Sequence, residues 1–271
     1  EKLAVSPGGV DMRTGRYAYE QTDLSIGPET GGLTLTRSMV QQVAGHTNPF
    51  ANFSHNSHIL HTEKHVNIFE NNFVHSLGHP DFQIEINFGA RSQTFRGYGN
   101  QSGFELASRA GYAILSYTGD RSSPSVIYTY TAADGTEAVF RPFGTGDCST
   151  LLRCAYVSQI TEADGTRFTF EYDNLGGPNL TRLRSIVSNR GYAMLLEYAG
   201  ALITRACVLN LAVTTKPADN VCPANAPATA NYGQTTIAGG LRLHSVTDPS
   251  GALWQFTGTA STIGFVRPGE S

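Results

Sequence analysis

The feature that most constrains this chain is a pattern recurring around Gly135, Gly165, Gly191 and Gly251. Five residues before these glycines stand Tyr130, Ile160, Ile186 and Val246, and eight before them Ile127, Val157, Leu183 and Leu243. Three after come Ala138, Phe168, Met194 and Trp254, and five after Phe140, Phe170, Leu196 and Phe256. The positions at minus five, plus three and plus five share one parity, so in a strand pair they fall on one face. Turn-forming residues precede each glycine: Asp134, Asp164, Asn189-Arg190, and Asp248-Pro249-Ser250. Asp-Gly between two alternating runs is a strong hairpin signal, because glycine accepts the positive φ that the corner needs. Each copy is thus a predicted β-hairpin with one wet and one dry face.

A lone hairpin cannot bury its dry face, so the copies must lean on one another. The spacing predicts an all-β chain of antiparallel hairpin repeats stacked on one another. The last gap between glycines is about two units long and holds an insertion or a decayed copy. No stretch shows the 3.6-residue period of a helix, and a hydrophobic content of 40% over 271 residues supplies a core. Residues 1–45, 46–125 and 126–271 differ in pattern but read as one continuous domain.

The opening alternates as Thr22-Asp23-Leu24-Ser25-Ile26, breaks at Gly27-Pro28-Glu29-Thr30-Gly31-Gly32, and resumes as Leu33-Thr34-Leu35-Thr36-Arg37-Ser38. This is a strand, a glycine-rich turn and a strand. With the glycine-marked hairpins, it resembles the Rhs or YD repeats of bacterial Rhs and wall-associated proteins, of the C component of insecticidal toxin complexes, and of teneurins. The resemblance implies that the hairpin repeats stack into a β-spiral or open, shell-like sheet, part of a large β-shell that often surrounds a toxin and of which this chain is one piece. It implies a secreted or cell-surface scaffold, self-assembling edge to edge or forming part of a toxin-encapsulating shell. Where related sequences continue into a tyrosine-bearing strand, Met39-Val40 follow here.

Four cysteines allow three connectivities, of which the two local pairs, Cys148 with Cys154 and Cys207 with Cys222, are the economical choice. Two such disulfides point to the periplasm or the cell exterior; the competing reading is four buried thiols in the cytosol. All but one of the 8 histidines fall between His46 and His79. A strand from Ile59 to Phe69 would stack His61, Glu63 and His65 on one face, a set that suits zinc or another divalent ion. The competing reading makes them decoration on a polar sheet face, leaving the protein without a cofactor. The loop 97–103 and the Pro- and Ala-rich stretch from Lys216 to Gln234, tied by Cys222, are predicted surface loops.

Catalytic patterns are missing: no Gly-x-Ser-x-Gly elbow, no phosphate-cradling glycine loop before a helix, no His-Glu-x-x-His. Asp134, Asp164, Asp173 and Asp248 invite a glycosidase reading, but turn positions favour aspartate for backbone reasons. The expectation is a non-enzymatic protein. A net charge of −3 without a basic run argues against nucleic acid, and no apolar run is long enough to span a membrane. The expected partners are another copy or a neighbouring β-repeat chain, meeting at unpaired sheet edges. A second functional class is a glycan-binding adhesin using Tyr98, Tyr117 and Tyr128; a metal protein built on the histidines is a third.

Overall fold

The computed structural model describes residues 20–39, 58–61, 66–74, 80–88, 91–98, 104–106, 112–120, 123–142, 153–174, 181–200, 202–237, 240–257 and 264–269. These residues contain strands and turns and no helix. The opening segment gives β1 (Glu20–Ile26), β2 (Leu33–Met39) and β3 (His58–His61). Next come β4 (Val66–Val74), β5 (Pro80–Phe88), β6 (Arg91–Tyr98), β7 (Phe104–Leu106) and β8 (Ile114–Thr118). The glycine-marked region supplies β9 (Ile127–Thr131), β10 (Glu137–Arg141), β11 (Arg153–Thr161), β12 (Arg167–Asn174), β13 (Thr181–Ser188) and β14 (Tyr192–Ala199). Last in order are β15 (Leu202–Asn210), β16 (Ala228–Ile237), β17 (Gly240–Thr247), β18 (Leu253–Thr257) and β19 (Gly264–Val266).

The chain divides into two compact units. The first comprises Glu1–Ile26, Leu33–Thr62 and Met194–Ser271, and the second Gly27–Gly32 and Glu63–Ala193. In the second unit the strand order β7-β6-β5-β4-β11 meets a fork. Residues Arg153–Tyr156 of β11 pair with β4, whereas Gln159–Thr161 pair with β12. Where the partner changes, the Tyr172 hydroxyl donates to the Val157 carbonyl at 2.8 Å. That bond gives a backbone acceptor at the gap the partner that buried carbonyls require. In the first unit β15 to β19 pair in sequence order, and a separate three-stranded sheet runs β1-β2-β3.

The glycine corners are three-residue loops. The amides of Gly135, Gly165 and Gly251 donate to the carbonyls three residues back at 3.0, 2.9 and 2.9 Å. The glycines hold φ at +86°, +80° and +84°, as expected of a type I turn followed by a left-handed residue. Asp134 and Asp164 accept from the amides of Thr136 and Thr166 at 2.9 and 2.8 Å. In the fourth copy the aspartate stands two places earlier. Asp248 opens the loop and accepts from the amides of Ser250 and Ala252 at 2.9 and 3.0 Å. Identical corners are therefore built with an acid at two different positions.

The face pattern holds at minus five, plus three and plus five, all buried except Trp254, which is half-buried. The position at minus eight has the opposite parity, yet Val157, Leu183 and Leu243 are buried as well. The ladder explains why. In three copies it skips one residue seven places before the glycine: Ser158, Arg184 and His244. A β-bulge reverses the alternation along its strand, so residues on either side of it face the same core. The first copy lacks the bulge, since β8 and β9 pair unbroken from Ile114↔Thr131 to Thr118↔Ile127. Ile127 is accordingly only half-buried there, and Val126 and Tyr128 take the interior.

Two sequence expectations need correction. The predicted loop from Lys216 to Gln234 ends in strand: β16 begins at Ala228, and its Ala230 and Tyr232 alternate inward. Its small residues hid the alternation. β15 and β16 form the decayed copy in the long gap, and residues 211–227 are the insertion between them. The predicted strand from Ile59 to Phe69 is two strands, with β3 paired to β2 and β4 paired to β5.

Glycine substitutions separate backbone strain from crowding. Gly165→Ala meets no atom within 4 Å, so it costs only the left-handed backbone, about 1–2 kcal/mol. Gly27 has φ +82°, and a Cβ there would lie 2.7 Å from the Tyr192 ring. Urea melts are expected to show a larger loss for Gly27→Ala than for Gly165→Ala.

Candidate functional site

The most unusual chemistry lies inside the first unit. Leu33, Leu35 and Arg37 share one parity on β2, so the inward face that begins with two leucines ends on a guanidinium. On β1 the ladder passes from Thr22↔Thr36 to Leu24↔Leu35, leaving Asp23 as a bulge residue. The bulge lets Asp23 and its neighbour Leu24 both be buried, at 4% and 1% exposure. Arg37 and Asp23 meet there in a forked pair, Nη2 to Oδ1 at 3.0 Å and Nε to Oδ2 at 3.1 Å. Tyr232 of β16 donates its hydroxyl to Asp23 Oδ2 at 3.1 Å. The Phe256 ring of β18 lies 4.8 Å from the Arg37 guanidinium carbon, a cation–π distance. Burial pushes the Tyr232 phenol well above the ordinary tyrosine value, and the Asp23 charge adds to this. Tyr232 therefore stays a neutral donor across the whole working pH range.

A disulfide clamps the insertion of the same unit. Cys207 and Cys222 are joined with Cα atoms 5.9 Å apart. Glu197 Oε1 accepts from the Cys222 amide at 2.6 Å, and Arg205 lies 3.8 Å from that carboxylate. Replacing both cysteines with serine is expected to lower stability by about 3 kcal/mol, the loop-closure value for a ring of this size, as read from denaturant midpoints. Cys154 is also disulfide-bonded; Cys148 lies outside the described residues.

In the second unit two corners are laced together. Asn189 donates to the Gly165 carbonyl at 3.1 Å and accepts from the Arg167 amide at 2.9 Å. Arg190 reaches Thr166 Oγ1 at 3.1 Å and Asp164 Oδ2 at 3.3 Å. The amide and then the hydroxyl of Thr136 hold Asp134 below the usual carboxylate range, and Thr166 does the same for Asp164. Depressed carboxylates contribute stability above their unfolded-state value and lose it as pH falls through the folded-state one. Both groups are at the surface, so the contribution is small. Asp134→Asn/Asp164→Asn is expected to flatten the acid limb of a stability-against-pH curve by slightly lowering stability at neutral pH and leaving it unchanged at low pH.

Of the histidine set, Glu63 and His65 lie outside the described residues, and His61 is described only as backbone in β3. Among the described residues no cluster of His, Cys, Asp and Glu is arranged to hold a metal ion. Tyr128, expected as an exposed binding aromatic, is a core residue at 1% exposure, because the unbulged β9 turns its even positions inward. Tyr117 is half-buried, and only the backbone of Tyr98 is described. Most of the 97–103 loop also lies outside the described residues. The buried Asp23–Arg37–Tyr232 cluster escaped the sequence reading, although an arginine in register with two inward leucines was the available signal.

No protein-family model and no curated protein sequence matches the chain. Solved structures do. The crystal structure of TcdB2-TccC3-Cdc42 aligns at TM-score 0.53 and 9% identity, over 89% of this chain and 16% of that one. The crystal structure of TcdB2-TccC3-TEV aligns at TM-score 0.51 and 10% identity, over 95% and 17%. The N-terminal domain of effector protein SpvB from Salmonella typhimurium strain LT2 gives TM-score 0.48 and 10% identity, over 83% and 98%. The toxin likenesses show the fold. This chain spans only 16% to 17% of the length of those two chains. Among the described residues no helix is long and apolar enough to cross a membrane.

Proposed function

We propose that this chain is a scaffold segment of an Rhs-type β-shell that works outside the cytoplasm and carries no catalysis of its own. The observation that carries the reading is the repeated unit itself: a hairpin with a glycine corner, an inward aromatic or aliphatic face and, in three copies, the same bulge. The polar chemistry among the described residues goes into corners, clamps and a buried ion pair, which hold a wall together. The likeness to TcdB2-TccC3 structures supports the shell reading, and the disulfides support an oxidising compartment. Among the described residues β3 and β19 each pair on one side only. Such edges suit a neighbouring β-repeat segment or a second copy.

Light scattering across a concentration series tests the assembly half of this reading. Mass that grows with concentration is expected, and a monomer at the highest concentration overturns edge-to-edge association. Intact mass after alkylation, with and without prior reduction, tests the compartment; label taken up before reduction counts against it. The adhesin reading keeps one observation, the Tyr112 ring at 89% exposure beside Ile114 at 63%. A glycan array giving specific hits lost in Tyr112→Ala would replace the scaffold role with that one, and elemental analysis showing bound zinc would revive the histidine site.

A further inference from the structure

The β1-β2-β3 layer faces a recognition problem that its apolar residues cannot solve. It offers Leu24, Leu33 and Leu35, all buried. The glycine-marked hairpins carry closely similar apolar sets, from Ile160, Phe168 and Phe170 to Val246, Trp254 and Phe256. Hydrophobic contact is non-directional, so three leucines do not distinguish one such face from another. A buried carboxylate and guanidinium do, because each is costly wherever its hydrogen bonds are not met.

The ladder shows where the distinction lies. Opposite the residue at minus five, on the preceding strand, stand Leu115 for Tyr130, Ala138 for Ile160, Phe170 for Ile186 and Tyr232 for Val246. Only Tyr232 carries a hydroxyl, and that hydroxyl reaches Asp23. Phe170 and Tyr232 occupy equivalent places and differ by this one oxygen. Tyr232 also belongs to β16, the strand of the decayed copy, which has departed from the common pattern.

We infer that Asp23, Arg37 and Tyr232 form an internal recognition site, which selects the hairpin face against which the β1-β2-β3 layer docks. Discrimination comes from the penalty on wrong faces: on any other copy the Asp23 carboxylate would be buried one donor short. Tyr232 is the specificity-determining residue, and the Asp23–Arg37 pair is what it reads. Such a site sets the address of the layer and adds little to its strength, since well-packed apolar groups replace buried ion pairs at no net loss in several proteins.

The test is hydrogen exchange read by peptide mass, paired with urea denaturation of the full chain. In Asp23→Leu/Arg37→Met/Tyr232→Phe the urea midpoint is expected to stay near that of the parent. Amides in 20–39 are expected to exchange about tenfold faster and in two populations, while those in 159–172 keep their protection. A single, fully protected population in 20–39 would overturn the proposal. So would a fall in midpoint matching the loss of protection, which would make the triad cement. Tyr232→Phe alone, which keeps the ion pair and the shape, is expected to speed exchange in 20–39 with 159–172 unchanged. No change in that variant would likewise sink the idea.

Discussion

Replacing Arg37 with alanine is expected to remove about 3–5 kcal/mol of stability, the cost of leaving a buried carboxylate without its cation. Asp23 is 1% exposed at its side chain and Arg37 0%, so water cannot take the missing partner's place without opening the layer. The truncation also strips the Phe256 ring of its guanidinium. Arg37→Met/Asp23→Leu removes both charges and should recover most of the loss. Denaturant midpoints of the two variants, read beside the parent, check both statements. A loss below about 1 kcal/mol for Arg37→Ala would mean that the pair is solvated in solution, as exposed pairs are.

Phe168→Ala should cost a comparable amount, about 3–5 kcal/mol, as expected for a buried phenylalanine replaced by a methyl group. Phe168 is fully buried, facing Ile160 across one ladder and Ser188 across the other. The neighbouring Arg167 points to solvent, and Arg167→Ala should stay within about 0.5 kcal/mol of the parent. The contrast between adjacent residues is a direct reading of which face is dry. Equal effects at the two positions would contradict the assigned face and, with it, the packing of the hairpins.

The hairpins were legible because period-2 alternation and a glycine corner act over a few residues. Tyr130, Phe140, Phe168 and Phe170 all occupy the buried positions that their parity assigned. Long-range consequences were not legible in the same way. A bulge depends on what the neighbouring strand offers, so the burial of Val157 beside Ile160 cannot be derived from either strand alone. Tyr128 shares the parity of Tyr130, and because β9 pairs unbroken that parity carries through and puts its ring inside. β16 was hidden by composition: Ala230 fills an inward position with too little apolar bulk to register as a strand residue. The Asp23–Arg37–Tyr232 contact joins residues 209 positions apart in the chain, and no local pattern announces such a pair. Its trace was an anomaly, a charge standing where the alternation called for a third apolar side chain.

The skipped residues Ser158, Arg184 and His244 have a consequence for how such chains tolerate change. Each stands outside the rungs, so losing it would let the strands pair straight through. The first half of the strand would then be turned over. Deleting Ser158 would exchange the faces of Val157 and Tyr156, two buried side chains of different size, with every backbone bond still available. A one-codon loss at these places is thus a spatial frameshift, whereas the same loss within a corner merely shortens a loop. Length variation among such repeats should therefore gather at the corners and avoid the seventh position before each glycine.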